Sequence, residues 1–258
     1  MIRIGGQIIS EGSMAGRYSD DNAKRLILNR LFSSDRVYDF SSIRALEFEI
    51  NVRAAIVHAA EKLNDSYFSF AVFKKSRCNP SFWERTEVGE FRIKPGVSPY
   101  LGIKDILKNS KLYATECATA IVIVFYLALT EILPEKLFNE LFANLYLMDW
   151  KFLDKDLGVR THRNIDALPG DCQYFRNPDV NPDTPQWQGE NVIKLINGKY
   201  YGHGIGIRTS EGIIRALNQQ RKPQATESAF LTEDVIMPDY KYLFKRYESA
   251  ERVLAMTI

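Results

Sequence analysis

Apolar and polar positions change their spacing along this chain, and each change marks an element. Ser41 and Ser42 precede apolar residues at Ile43, Leu46, Ile50, Ala54 and Val57. That spacing lines one helical face and predicts a helix to about Leu63, with Asn64 and Asp65 as its stop. Tyr67 to Phe73 reads as a buried strand, and Phe82 to Arg85 with Glu90 to Ile93 reads as a hairpin around Gly89. Pro95, Gly96, Pro99 and Gly102 mark a loop. Next comes the longest apolar run, Ala118 to Leu129. Thr115 is placed to cap a helix that starts near Glu116 and ends near Leu133. A membrane span needs ~20 residues, so this run predicts a buried core helix. Pro134 opens a further helix, Glu135 to about Leu147, with Leu137, Leu141, Leu145 and Met148 near one face.

The second half is less regular. Residues 149 to 170 are charged and loop-like, Asp171 to Phe175 is a short strand, and Asn177 to Gln188 carries three prolines. Glu190 to Ile196 and Lys199 to Ile207 flank Asn197-Gly198, the pair favoured in a two-residue hairpin turn. That turn would pair Ile196 with Lys199, Lys194 with Tyr201, Val192 with His203 and Glu190 with Ile205. Ser210 then caps a helix to about Leu217, and a charged, aromatic helix runs from Asp239 to Leu254. No repeat, low-complexity stretch or Gly/Ser linker divides the sequence. It reads as a single α+β domain over residues 1–258.

Composition narrows the function classes. The 258 residues carry 34 Lys and Arg against 32 Asp and Glu, a net charge of +2. So balanced a chain lacks the overall field that grips phosphate backbones, which speaks against nucleic acid as partner while leaving room for a local basic patch. Cys78, Cys117 and Cys172 are an odd, sparse set, which fits free thiols in a reducing compartment. The start, Met1 to Ile9, does not read as a signal peptide. The histidines are His58, His162 and His203, and the ligand spacings of zinc sites are missing, so a structural zinc site is not expected. Gly202-His203-Gly204-Ile205-Gly206 is not followed by a helix start, so it does not read as a phosphate loop.

One constellation carries chemistry. Glu116 and Cys117 sit in the first turn of the apolar helix, where unpaired N–H groups and the helix dipole lower a thiol pKa. In the expected hairpin register, Glu190 and His203 share a face as diagonal neighbours, and a one-residue slip would separate them. The glycines at 202, 204 and 206 allow a close approach. A cysteine at a helix start, followed by an acid and a histidine on consecutive strands, is the order of papain-like acyl-transfer enzymes. Cys172, beside Asp171 at a strand start, is a weaker nucleophile candidate. The residues alone leave three readings open: transfer to an amine, hydrolysis by a cysteine amidase or peptidase, or a degenerate fold with a structural role.

The stretch from Tyr113 to Ile123, Gly170-Asp171-Cys172 with Tyr174-Phe175, Trp187 to Ile193, and His203 to Ile207 closely resemble, in the same order, the spore-coat protein-glutamine γ-glutamyltransferases of Bacillus-type spore formers. The similarity runs from about Ile43 to about Leu231. Residues 1–40 match loosely, the tail beyond about Pro238 is unmatched, and 1–40 and 239–258 are taken as peripheral extensions. The resemblance implies a compact core related to NlpC-type cysteine hydrolases, with the nucleophile's helix packed on an antiparallel sheet, and calcium-independent, cofactor-free activity. It also implies Cys117 as nucleophile, Glu190 as principal acid/base, Glu116 as a partial substitute and His203 in an orienting role. Trp150, Tyr174 and Trp187 would line a substrate tunnel. The expected product is an ε-(γ-glutamyl)lysine cross-link between spore coat proteins. The enzyme would be monomeric, without membrane or nucleic-acid partners, made in the mother-cell cytoplasm and deposited on the spore coat.

Overall fold

A computed structural model describes residues 1–148 and 157–255. At its centre lies α4 (Cys117–Ile132), in which every side chain from Cys117 to Thr130 is buried. A helix apolar all round must be enclosed on all sides. α2 (Ile43–Asn64) packs along it, with α3 (Pro99–Lys108) and α5 (Glu135–Leu141) beside it. No helix among the described residues is long and apolar enough to cross a membrane.

Against this layer stands a six-stranded antiparallel sheet in the order β13-β12-β11-β10-β14-β9. Its strands are β9 (Arg160–His162), β10 (Cys172–Arg176), β11 (Gly189–Lys194), β12 (Tyr200–Gly202), β13 (Gly206–Arg208) and β14 (Phe230–Met237). One face meets α4 and α2 through Cys172, Ile193, Leu195 and Tyr201. The other packs Phe175, Val192 and Tyr200 on α6 (Ser210–Asn218). The fold is thus mixed α+β, with the helix that begins at Cys117 laid on an antiparallel sheet.

Smaller pieces complete the chain. β1 (Ile2–Ile4), β2 (Gln7–Ile9) and β3 (Tyr38–Phe40) form a sheet that, with α1 (Asn22–Ser33), buries Ile2, Ile27 and Leu31 against α2. β5 (Trp83–Arg85), β6 (Phe91–Ile93) and β8 (Tyr146–Leu147) form another. β4 (Ser69–Phe70) pairs in parallel with β7 (Ala114–Thr115), directly before Cys117. Finally α7 (Tyr240–Ala255) sets Phe244 and Tyr247 on Phe48 of α2.

Several expectations from sequence are corrected. The strand at Tyr67 to Phe73 shrinks to Ser69–Phe70, paired among the described residues with β7 alone, and Phe73–Lys75 turns into a 3-10 helix. The loop around Pro99 and Gly102 is mostly α3: Ser98 caps it through the Leu101 N–H, and Pro99 occupies the first turn. Gly102 is there for packing, since a Cβ would lie 2.8 Å from Ile93 Cδ1. Glu116, rather than Thr115, caps α4, and Thr209, rather than Ser210, caps α6. The helix after Pro134 stops at Leu141, and the segment beyond it becomes β8. The hairpin register is displaced by one residue: Ile193 faces Tyr201 and Lys194 faces Tyr200, around the loop Ile196-Asn197-Gly198 with Gly198 at φ +74°. This register keeps Ile193, Leu195 and Tyr201 together on the α4 face, whereas the two-residue turn would oppose Lys194 to the core residue Tyr201. The N-terminal elements and β14, too short or too polar in pattern, were not anticipated.

A buried charge cluster ties three elements together. Arg53 of α2, 1% exposed, donates to Glu49 Oε1 at 2.9 Å and to Asp171 Oδ1 at 2.7 Å, with its guanidinium 4.7 Å from the Tyr240 ring centre. Asp171 also accepts from the Leu168 N–H. A Cβ on Gly170 (φ +89°) would come 3.0 Å from the Arg53 carbonyl oxygen, so this motif glycine serves close packing. Removing one partner strands a buried charge. Asp171→Ala is expected to lower stability by about 3–5 kcal/mol in denaturant unfolding; a loss under 1 kcal/mol would refute the clamp.

Candidate active site

The β4-β7 pair feeds the chain straight into α4, so Cys117 is the helix's first residue. Glu116 caps that end, its two carboxylate oxygens accepting from the Ala118 N–H at 2.6 Å and the Thr119 N–H at 2.7 Å. A cap of this kind places negative charge where the helix dipole favours it. Cys117 faces β11, where the Asn191 side-chain Nδ2 donates to its Sγ at 3.5 Å.

The β11-β12 ladder ends at Val192 opposite Gly202. The next two amides leave the ladder: the Asn191 N–H turns to the Cys117 sulfur, and the His203 N–H turns to the Glu190 carboxyl. This opening corrects the expected relation of Glu190 and His203. Strand alternation in the observed register puts them on opposite faces, and Glu190 meets the backbone of His203, not its ring. The Glu190 carboxyl lies over Gly202, where a Cβ would sit 3.0 Å from its Cγ and Oε1. Gly202 is therefore the glycine that makes room, and what it admits is a side chain of the site itself.

Burial governs the electrostatics. Desolvation pushes the Glu190 carboxyl well above the usual carboxylate range, and the negative charge of Glu116 raises it further. The Cys117 thiol is likewise pushed up, first by burial and then by Glu190 and Glu116. Only the Asn191 donors pull it down. The lowered thiol pKa expected from the helix end is thus reversed: half a dipole charge is outweighed by a dry site and two carboxylates. Glu190 Oε1 accepts no hydrogen bond. Thiol and carboxyl are strongly coupled, so the proton they exchange belongs to the pair.

His203 sits between Phe68 and Phe70. Its Nδ1 lies 3.0 Å from the Tyr201 hydroxyl and its Nε2 lies 3.2 Å from the Ser69 carbonyl oxygen. An N–H at Nε2 donates to Ser69, leaving Nδ1 to accept from Tyr201. Burial lowers its pKa to about 4, which keeps the ring neutral at neutral pH. Its place is to fasten the end of β12 to the β4-β7 pair that leads into Cys117.

A cleft of about 490 Å³ opens over Cys117. Phe70, Val72 and Phe73 form one wall, and Tyr174, Pro185 and Gln188 the other. Tyr174 is directly opposite Asn191 across β10-β11. Trp187 backs the first wall, stacked on Phe70 at 5.6 Å and 17°. Trp150 lies outside the described residues. Glu190, 1% exposed, does not reach the cleft surface and stands behind the sulfur. Asn191, Phe70 and Phe73 were missed from sequence. Asn191 adjoins Glu190 in a matched motif, but only the opened ladder reveals its role. Cys172 is fully buried with its thiol pushed far up, Cys78 is raised to about 11, and neither lines the cleft. Among the described residues no group of three or more His, Cys, Asp or Glu could hold a metal ion.

A helix-borne cysteine, a carboxyl partner on an adjacent antiparallel strand and an aromatic cleft define the class of papain-like thiol enzymes that act on acyl groups. Residues 1–247 match the family model described as protein-glutamine gamma-glutamyltransferase. A protein-glutamine gamma-glutamyltransferase of Bacillus mycoides is 47% identical over 220 residues, covering 85% of this chain and 79% of its own. One of Bacillus cereus is 46% identical over 222 residues, covering 86% and 80%. The fold is similar to that of a transglutaminase from Geobacillus stearothermophilus without its C-terminal extension, with TM-score 0.77, 51% identity, and coverage of 80% of this chain and 98% of that one. The chain belongs to the protein-glutamine gamma-glutamyltransferase family and is an acyltransferase.

Two measurements probe this electrostatic arrangement. The folded Glu190 carboxyl holds its proton more tightly than the unfolded chain's, whose value is near 4.5. Its contribution to stability is therefore greatest below that pH and is lost as pH rises through the folded value. Glu190→Gln removes this penalty, so its melting temperature should gain on wild type as pH goes from 5 to 8; a constant gap would contradict the buried-carboxyl assignment. In addition, the His203 ring signals in NMR should not titrate between pH 5.5 and 8, whereas a midpoint near 6.5 would mean that the ring is open to solvent.

Proposed function

We propose that this acyltransferase joins protein glutamine to protein lysine through a Cys117 thioester, and that the observation carrying this reading is the Cys117 sulfur held in an aromatic cleft by Asn191, with the Glu190 carboxyl behind it. In the state of the coupled pair that carries a single proton, Glu190 holds that proton while the Cys117 thiolate attacks the glutamine γ-carboxamide, then delivers it to the departing ammonia. In the second half the lysine amine attacks the thioester carbonyl. Glu190 removes its proton and returns one to the leaving sulfur, which restores the starting state. The raised pKa of Glu190 suits both roles, because a carboxyl near its ordinary value would protonate poorly at neutral pH.

The remaining residues take supporting roles. Glu116 holds the helix end and its charge, and can stand in part for Glu190. His203 orients the strand end as a neutral ring. Tyr174 and Trp187, with Trp150, line the substrate path; aromatic walls that keep water from the thioester favour the amine as acceptor over hydrolysis. The reaction is calcium-independent and needs no cofactor, and the enzyme acts as a monomer. The resemblance to the enzymes of Bacillus-type spore formers supports coat proteins as substrates, with synthesis in the mother cell and deposition on the spore.

The test is incorporation of a labelled primary amine into a glutamine-bearing protein in the presence of a chelator, with ammonia release followed in parallel. Cys117→Ala should abolish incorporation and Glu190→Gln should lower it about 10²–10⁴-fold, while Glu116→Gln retains part of it. Full activity in Cys117→Ala refutes the mechanism, and ammonia release without amine incorporation indicates a hydrolase.

A further inference from the structure

The cleft wall formed by Phe70, Val72 and Phe73 carries a set of cations that the reaction does not use. Lys74 and Lys75 follow Phe73 in the same 3-10 turn and are exposed. Arg77, also exposed, donates from Nη2 to the Ser69 hydroxyl at 3.1 Å, which places its guanidinium against β4. Lys111 lies with Nζ 4.3 Å from the centre of the Tyr67 ring, and that tyrosine is 71% exposed. All four hold to the segment 67–77, of which Phe70, Val72 and Phe73 line the cleft over Cys117 while the cations stand outside its lining. None of them forms an ion pair with a described residue, although ion pairs recur elsewhere on the surface at Arg3, Arg17, Lys62, Arg163 and Lys222. Exposed acids near this wall are Asp65, two residues before Tyr67, with Glu84 and Glu87 on the hairpin whose Gly89 abuts the Phe73 backbone. Residues 66–115 contain nine Lys and Arg against four Asp and Glu, in a chain whose overall excess is +2.

Unpaired cations beside the cleft, whose lining holds one acid, Glu116, raise the local concentration of anionic ligands and speed their approach. Lys111 with the exposed Tyr67 adds an amphipathic contact to the strip. The opposite wall offers Pro185, Gln186 and Gln188, all uncharged. We propose that the glutamine donor is an acidic polypeptide segment, whose Asp and Glu side chains dock on Lys74, Lys75, Arg77 and Lys111 while its glutamine enters the cleft. This rests on the transglutaminase reading and specifies the substrate class of that site.

Binding separates the two claims, because it requires no turnover. A fluorescent glutamine peptide flanked by Asp and Glu, and a matched peptide with neutral flanks, are titrated into Cys117→Ala protein, with and without the added changes Lys74→Glu, Lys75→Glu and Lys111→Glu. At about 50 mM salt the acidic peptide should bind at least tenfold more tightly than the neutral one. The charge reversals should erase that advantage without altering neutral-peptide binding, and 0.5 M salt should shrink it below twofold. Equal binding of both peptides overturns the proposal, as does equal weakening of both by the reversals. A single-stranded oligonucleotide of matched charge that binds more tightly than the acidic peptide also overturns it. Labelled-amine incorporation into the neutral peptide by the enzyme with Cys117 intact reports on the transglutaminase reading independently.

Discussion

Three acidic groups share one dry space at the head of α4: a thiol, the Glu190 carboxyl and the Glu116 carboxylate. A helix end offers about half a charge of compensation, so the site cannot hold all three ionised at acceptable cost. The protein satisfies this constraint by giving each group a different fate. Glu116 is hydrogen-bonded to two helix amides, and Cys117 and Glu190 are buried so that ionising either is unfavourable. The coupled pair therefore holds its protons jointly, and neither group titrates alone.

That arrangement depends on an interrupted ladder. Where β11 and β12 would exchange one more pair of hydrogen bonds, the amides of Asn191 and His203 are redirected to the sulfur and to the carboxyl. A regular hairpin would have committed both amides to its own strands and kept the two faces apart. Gly202 allows the Glu190 side chain to cross the strand, and the neutral His203 ring fastens the peeled end to the Ser69 carbonyl. Local loss of sheet is converted into the polar contacts of the site.

The rest of the fold supplies rigidity. Arg53, Glu49 and Asp171 bind α2 to the start of β10, and the Tyr240 ring brings α7 onto the same guanidinium. β10 carries Tyr174 into the cleft and pairs with β11, which bears both Glu190 and Asn191. A buried cluster of this kind is weak evidence of net stability; its geometric effect is to hold the strands that carry the site in one register.

Sequence alone determined the central apolar helix, the cysteine at its start, the α2 helix with its serine cap, and a hairpin with Glu190 on its first strand, whereas His203, expected on the second, falls in the turn just past Gly202. These follow from local rules: periodicity, capping and turn chemistry act within a few residues of chain. It read Gly102 as a loop marker and Asn197-Gly198 as a two-residue turn, since a glycine's reason for being there, whether a turn or a close neighbour, lies outside its own segment. Tertiary structure decided the register, because burying Ile193, Leu195 and Tyr201 on α4 outweighs the preference of the turn. It also decided the sign of the thiol's pKa shift, because desolvation and the summed charge of neighbours depend on which distant groups the fold encloses together.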